Sequence, residues 1–118
     1  MALETHDGSC HCGKVTFTAR VDLDKTVTCN CSRCQRLGVV LSQCRAEDFQ
    51  LTSGAEVLAD YRFNSGRIGH RFCRECGIQT HGEGTAPGGT ATVMVNVNCL
   101  HDVDPRKLQP YHYDGASA

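Results

Sequence analysis

Nine cysteines in 118 residues constrain this chain more than any other feature it carries. Seven of them fall into three short motifs: Cys10-His-Cys12-Gly, Cys29-Asn-Cys31-Ser-Arg-Cys34 and Cys73-Arg-Glu-Cys76-Gly. Usage this dense has two ordinary explanations, disulfides or metal. The opening residues, Met-Ala-Leu-Glu-Thr-His-Asp, lack a basic stretch followed by an apolar one, so a cytoplasmic protein with reduced thiols is expected. An odd cysteine count would also leave one thiol over in any full pairing. Zinc takes about four ligands, with sulfur at about 2.3 Å. Cysteines two or three positions apart on a tight turn aim two thiolates at one ion. The glycines that follow two of the motifs, Gly13 and Gly77, permit the sharp turn this needs.

Spacing alone leaves the partition open. Seven ligands divide as a closed four-cysteine site plus a three-cysteine site with a vacant position. A ribbon of Cys31, Cys34, Cys73 and Cys76 is equally allowed, and it would leave Cys10, Cys12 and Cys29 without a role. Iron is compatible with the same ligands.

A metal staple suits the rest of the chain. With no Trp, three Tyr and four Phe, large apolar side chains are scarce, and a single domain over residues 1–118 has a modest core. The patterning is mainly β. Val15, Phe17, Ala19 and Val21 alternate with polar residues, as do Val57, Ala59, Tyr61 and Phe63 after the Ser53-Gly54 turn. Ile68, His70 and Phe72 follow the Asn64-Ser65-Gly66 turn, and Ala91, Val93, Val95 and Val97 form a fourth run, which Cys99 continues. A glycine-rich loop is expected from Gly82 to Gly89. Helical periodicity is poor; the best candidate is a short turn capped by Asp104 with Pro105 at its first position.

Taken together, Gly-Ser-Cys10-His-Cys12-Gly, Cys29-Asn-Cys31-Ser-Arg-Cys34 and Arg71-Phe72-Cys73-Arg-Glu-Cys76-Gly77 resemble the glutathione-dependent formaldehyde-activating enzyme family, which also includes centromere protein V. Leu51-Thr-Ser-Gly54, Val97-Asn-Cys99-Leu, Asp104 and Tyr113-Asp-Gly115 extend the resemblance nearly end to end. The resemblance implies a small, zinc-stapled, β-tent-like fold with two Zn²⁺ per chain. Cys10, Cys12, Cys73 and Cys76 would hold a structural zinc, and Cys29, Cys31 and Cys34 a catalytic one. The chain departs from the family pattern at Ile78-Gln79-Thr80-His81, where a small hydroxyl residue and an apolar strand are usual.

The implied activity is that of a carbon–sulfur lyase acting on an adduct of glutathione, or another thiol, with a small aldehyde such as formaldehyde. Three thiolates make zinc a weak Lewis acid for water but a good site for ionising an incoming thiol. Arg33 and Arg36 are candidates for the carboxylates of glutathione, because a guanidinium offers paired donors. Among the histidines, His11 should point outward between two ligands and His70 should pack on an apolar strand face. His81 is the ring to test as a proton shuttle. The alternative is a non-catalytic zinc-binding adaptor or chaperone-like module, which would need only the closed site. Twelve basic and thirteen acidic residues, well mixed, argue against nucleic acid, and no apolar run is long enough to span a membrane.

Overall fold

The computed structural model describes residues 3–117. A small sheet comprises β1 (Glu4–Ser9), β2 (Thr16–Val21) and β5 (Phe49–Ser53) in the order β1-β2-β5. A larger sheet comprises β3 (Thr26–Cys29), β4 (Leu41–Arg45), β6 (Leu58–Tyr61), β7 (Gly69–Cys73), β8 (Gln79–Thr85), β9 (Ala91–Asn96) and β10 (Tyr111–Tyr113). Its order is β10-β3-β4-β9-β8-β7-β6, with β10 parallel to β3 and the other neighbours antiparallel. The mainly β expectation is met.

The core lies between the sheets. Phe17, Ala19 and Val21 of β2 meet Cys44 of β4, Val93 and Val95 of β9, and the following Val97, Cys99 and Leu100. Period-two alternation produces this: every second residue of β2 is buried from Phe17 to Val21, as the sequence pattern requires. Phe49 stacks on Phe17 at 5.2 Å between centroids, which adds a directional aromatic contact to a core built mostly from valine.

Four expectations need correction. Gly82 and Gly84 belong to β8, not to a loop; the turn is confined to Ala86–Thr90, closed by Ala86 N–H to Thr90 O at 2.8 Å. Glycine favours turns, but Gly82 pairs with both β7 and β9 and Gly84 pairs with β9, and pairing overrides propensity. The last valine run stops at Asn96, whose side chain accepts from Asn98 N–H at 2.9 Å and turns Val97–Cys99 into a 3-10 turn. Cys99 is buried all the same. The strand expected from Val57 to Phe63 is shorter, Leu58–Tyr61. Finally, a helix that the weak periodicity does not signal, α1 (Ser32–Leu37), starts within the second cysteine motif. The turn at Pro105–Lys107 matches expectation, with Asp104 accepting from Arg106 N–H.

Phe17 is 1% exposed and joins both sheets. Phe17→Ala should cost about 3–5 kcal/mol, read as a lower urea midpoint with an unchanged slope.

Candidate metal centres and the adjoining cavity

Cys10 and Cys12 occupy the turn that joins β1 to β2, closed by Cys10 N–H to Val15 O at 3.0 Å. Gly13 has φ 84° and Gly77 φ 82°, the left-handed conformation that the motifs were expected to need. Cys73 ends β7, and Gly77 N–H returns to Cys73 O at 2.7 Å. The four sulfurs of Cys10, Cys12, Cys73 and Cys76 lie within 4.8 Å of one another. Cys10 Sγ to Cys12 Sγ is 3.6 Å, and Cys12 Sγ to Cys73 Sγ is 3.7 Å. Ligands at about 2.3 Å on tetrahedral zinc stand about 3.8 Å apart, so the spacing fits the ion. The closed four-cysteine partition is therefore the one the fold assembles, and the ribbon of Cys31, Cys34, Cys73 and Cys76 is not.

Cys29, Cys31 and Cys34 form the second cluster within the same limit, and among the described residues no fourth ligand atom joins them. Cys29 ends β3, Cys31 is the N-cap of α1, and Cys34 is buried in its first turn. Cys31 Sγ accepts from Cys34 N–H at 3.4 Å, replacing the oxygen of an ordinary cap, and Cys29 Sγ accepts from Cys31 N–H at 3.4 Å. Gly38 ends the helix at φ 67° with its N–H on Cys34 O. A six-residue helix is too short to hold itself, so these contacts fix it.

The donor chemistry fits a soft dication. Burial, then the neighbouring Cys31 and Cys29, push the Cys34 thiol up to about 12. Burial would raise Cys76 as well, yet backbone hydrogen bonds from Cys12 and Ile78 and the thiols of Cys10 and Cys73 bring it down to about 6. Crowded thiols cannot all ionise without a compensating cation, which zinc would provide. None of the nine cysteines is in a disulfide. Cys44 and Cys99 stand outside both clusters, their thiols raised chiefly by burial to about 11 and about 12.

The second cluster lines a cavity of about 290 Å³. Its floor is the face of the large sheet turned away from the core. Paired across β7, β8 and β9, His70, Gly82 and Met94 form one row on this face. His81, paired with Val95, occupies the opposite face. It is 1% exposed, packs on Phe49 at 4.4 Å, and bonds Thr80 Oγ1 and Glu83. His81 is therefore not beside the three-cysteine cluster, and the ring that lines its cavity is His70. His70 is packed, as expected, stacking on Phe63 at 5.1 Å. Burial and then the charge of Arg33 lower its pKa, with Asp60 opposing and Arg62 adding. His11 is exposed, as expected.

Gln79 explains the family departure. One residue on β7 is matched by two on β8 between the pairs Arg71–His81 and Phe72–Gln79, so Thr80 is an extra residue. This bulge lets Gln79 and Gly82 line the same cavity. Gln79 Oε1 accepts from Arg33 Nε at 3.0 Å and Nη2 at 2.9 Å, and Arg33 lies 4.8 Å over the Tyr61 ring. Arg33, Arg36, Tyr61 and Phe63 line a neighbouring recess of about 370 Å³, with Phe63 common to both spaces. Asn30 ties down the C-terminal segment through Asp114 at 3.0 Å and Ala116 N–H at 2.9 Å. There a Cβ on Gly115 would collide with Cys29 Sγ. Gln79 was marked in the sequence only as part of the departure at Ile78–His81, and Asn30 only by its place between Cys29 and Cys31; neither carried a sign of its partner.

Native mass spectrometry of protein purified without chelator should find two zinc ions per chain. Cys31→Ser should leave one zinc and a folded protein. Cys73→Ser should lose the four-cysteine ion and lower the melting temperature sharply, since structural zinc binding is coupled to folding.

The sequence model of the glutathione-dependent formaldehyde-activating enzyme family matches residues 5–113. The fold is similar to that of a Rhodobacter sphaeroides protein, a structural genomics target known from its crystal structure. The TM-score is 0.80 at 34% identity, covering 90% of this chain and 97% of that one. With its cysteine clusters and fold in agreement, this chain belongs to the glutathione-dependent formaldehyde-activating enzyme family.

Proposed function

We propose that this protein is a zinc-dependent enzyme of carbon–sulfur lyase type that makes or breaks the bond between glutathione, or another thiol, and a small aldehyde. The supporting observation is the cluster of Cys29, Cys31 and Cys34, one ligand short of a closed site, lining a cavity. Zinc bound there would supply a position at which an incoming thiol gives up its proton. In the addition direction the sulfur–carbon bond forms, the carbonyl π pair moves to oxygen, and that oxygen takes up a proton. Thiol and aldehyde thus give a hemithioacetal, formaldehyde giving the S-hydroxymethyl adduct, with every atom retained.

The chain's own residues divide the remaining work. Arg36 and Arg33 line the recess beside the cavity and offer guanidinium donors to the carboxylates of glutathione. Arg33 is fixed by Gln79 and Tyr61, so little side-chain freedom is lost on binding. His70, held below its ordinary pKa, is neutral near pH 7 and able to accept the proton the thiol loses.

Cys31→Ala should abolish adduct formation from glutathione and formaldehyde, followed by loss of free thiol, while circular dichroism and the other zinc are retained. Turnover that survives the substitution would remove the assignment. A wild type with both zinc ions and no turnover on any thiol–aldehyde pair would favour a non-catalytic zinc module.

A further inference from the structure

The cavity beside Cys29, Cys31 and Cys34 is larger and more apolar than formaldehyde requires. Water occupies about 30 Å³ in the liquid, so a space of about 290 Å³ equals about ten waters. Formaldehyde has no carbon beyond the reacting one. An ion and a thiol sulfur would occupy only the cysteine end of this space. Val27, Leu41, Phe63, Ile68 and Met94 supply its apolar surface. Leu41 shares a buried cluster with Cys34 and Val39, and Met94 packs against that cluster with Cys29 and Cys31, so the apolar wall starts at the candidate metal centre itself.

The space is created by glycine in mid-strand. Gly82 lies between His70 and Met94 in the cross-strand row and puts nothing into the gap between them. A Cβ there would stand 3.6 Å from Ile68 Cγ2, 3.7 Å from Gly69 O and 3.9 Å from Met94 Cβ, which is ordinary contact. Gly84, two residues on along β8, likewise has room for a Cβ, 3.5 Å from Ile68 Cγ1. Neither residue has a positive φ. Glycine is therefore not required at either position by backbone geometry or by crowding, although it weakens a strand. What Gly82 provides is open volume beneath Ile68, a large apolar side chain that is 45% exposed at the rim.

We propose that the carbonyl partner of this protein is an aldehyde bearing an apolar chain of several carbons, seated over Gly82 between Met94, Ile68 and Phe63. The proposal rests on the thiol–aldehyde reading above and specifies its substrate class. Burial of each methylene in such a site is worth about two- to fourfold in affinity.

The test uses the zinc-loaded protein and two inert series. Calorimetry with S-methyl-, S-propyl- and S-hexylglutathione, thioether mimics of the adduct, should show affinity rising by at least about thirtyfold from methyl to hexyl. Gly82→Val, which fills the gap with a residue suited to strands, should flatten that dependence; a thermal melt reports its folding. In parallel, the n-alkanols from propanol to hexanol, which carry no glutathione, should perturb the Met94 methyl resonance at lower concentration as the chain lengthens. Chain-length gains with the alkanols but no binding of any S-alkylglutathione would uphold the apolar site and overturn glutathione as the thiol. Affinities independent of chain length in both series would overturn the proposal.

Discussion

Convergence of four sulfurs from two separate hairpin turns is the constraint on which the rest of the structure depends. Cys12 and Cys73 stand 61 positions apart, one in a turn of the small sheet and the other at the end of a strand in the large sheet. Bringing them together costs chain entropy that a core of valines and few aromatics supplies poorly. Thiolate coordination of zinc releases about 10–16 kcal/mol in small structural sites, on the scale of a whole domain's stability. Positions downstream inherit this anchor. Gln79 comes three residues after Cys76, so the knuckle sets where β8 begins. Its backbone O is then held by Asn96 Nδ2 at 2.7 Å, and its side chain reaches Arg33.

The large sheet is used on both faces, for different purposes. One face carries Val93, Val95 and His81 and is filled by the small sheet and Phe49. The other carries His70, Gly82 and Met94, and is roofed by the β6–β7 loop and the C-terminal segment rather than by a second sheet. That asymmetry separates the packed core from the cavity beside the three-cysteine cluster. Loops and a tail leave room for a cavity, whereas two interdigitated sheets would not. The same division explains why Cys44 and Cys99 lie idle in the core, their thiols raised by burial, while Cys29 and Cys31 remain partly exposed.

Legibility followed the range of the interactions involved. The cysteine turns were readable because ligand spacing and the following glycines are local requirements. So were the β2 strand and the Asp104 cap. The helix α1 was not, because a cysteine sulfur caps it and its six residues are too few to show a period. Gly82 and Gly84 looked like a loop because nothing local distinguishes a turn glycine from one kept in a strand by its neighbours. His81 drew attention by following a metal knuckle, and His70 did not. Strand alternation decides which of them faces the cavity, and the bulge at Thr80, directly before His81, resets that alternation.

By itself, the sequence determined that its thiols gather in short motifs with metal-ligand spacing, that its fold is mainly β, and which seven cysteines form those motifs. Those facts reside in residue type and in separations of two or three positions, which no long-range contact can change. Spacing left the grouping of the sulfurs open, and the fold gathers them as four and three, as the family resemblance implied; only the tertiary structure decided that Gln79 clamps Arg33 and that His70 rather than His81 lines the cavity. Each of these depends on strand register and on the closure of segments far apart in sequence. A shift of one residue along β8 would send every side chain to the other face.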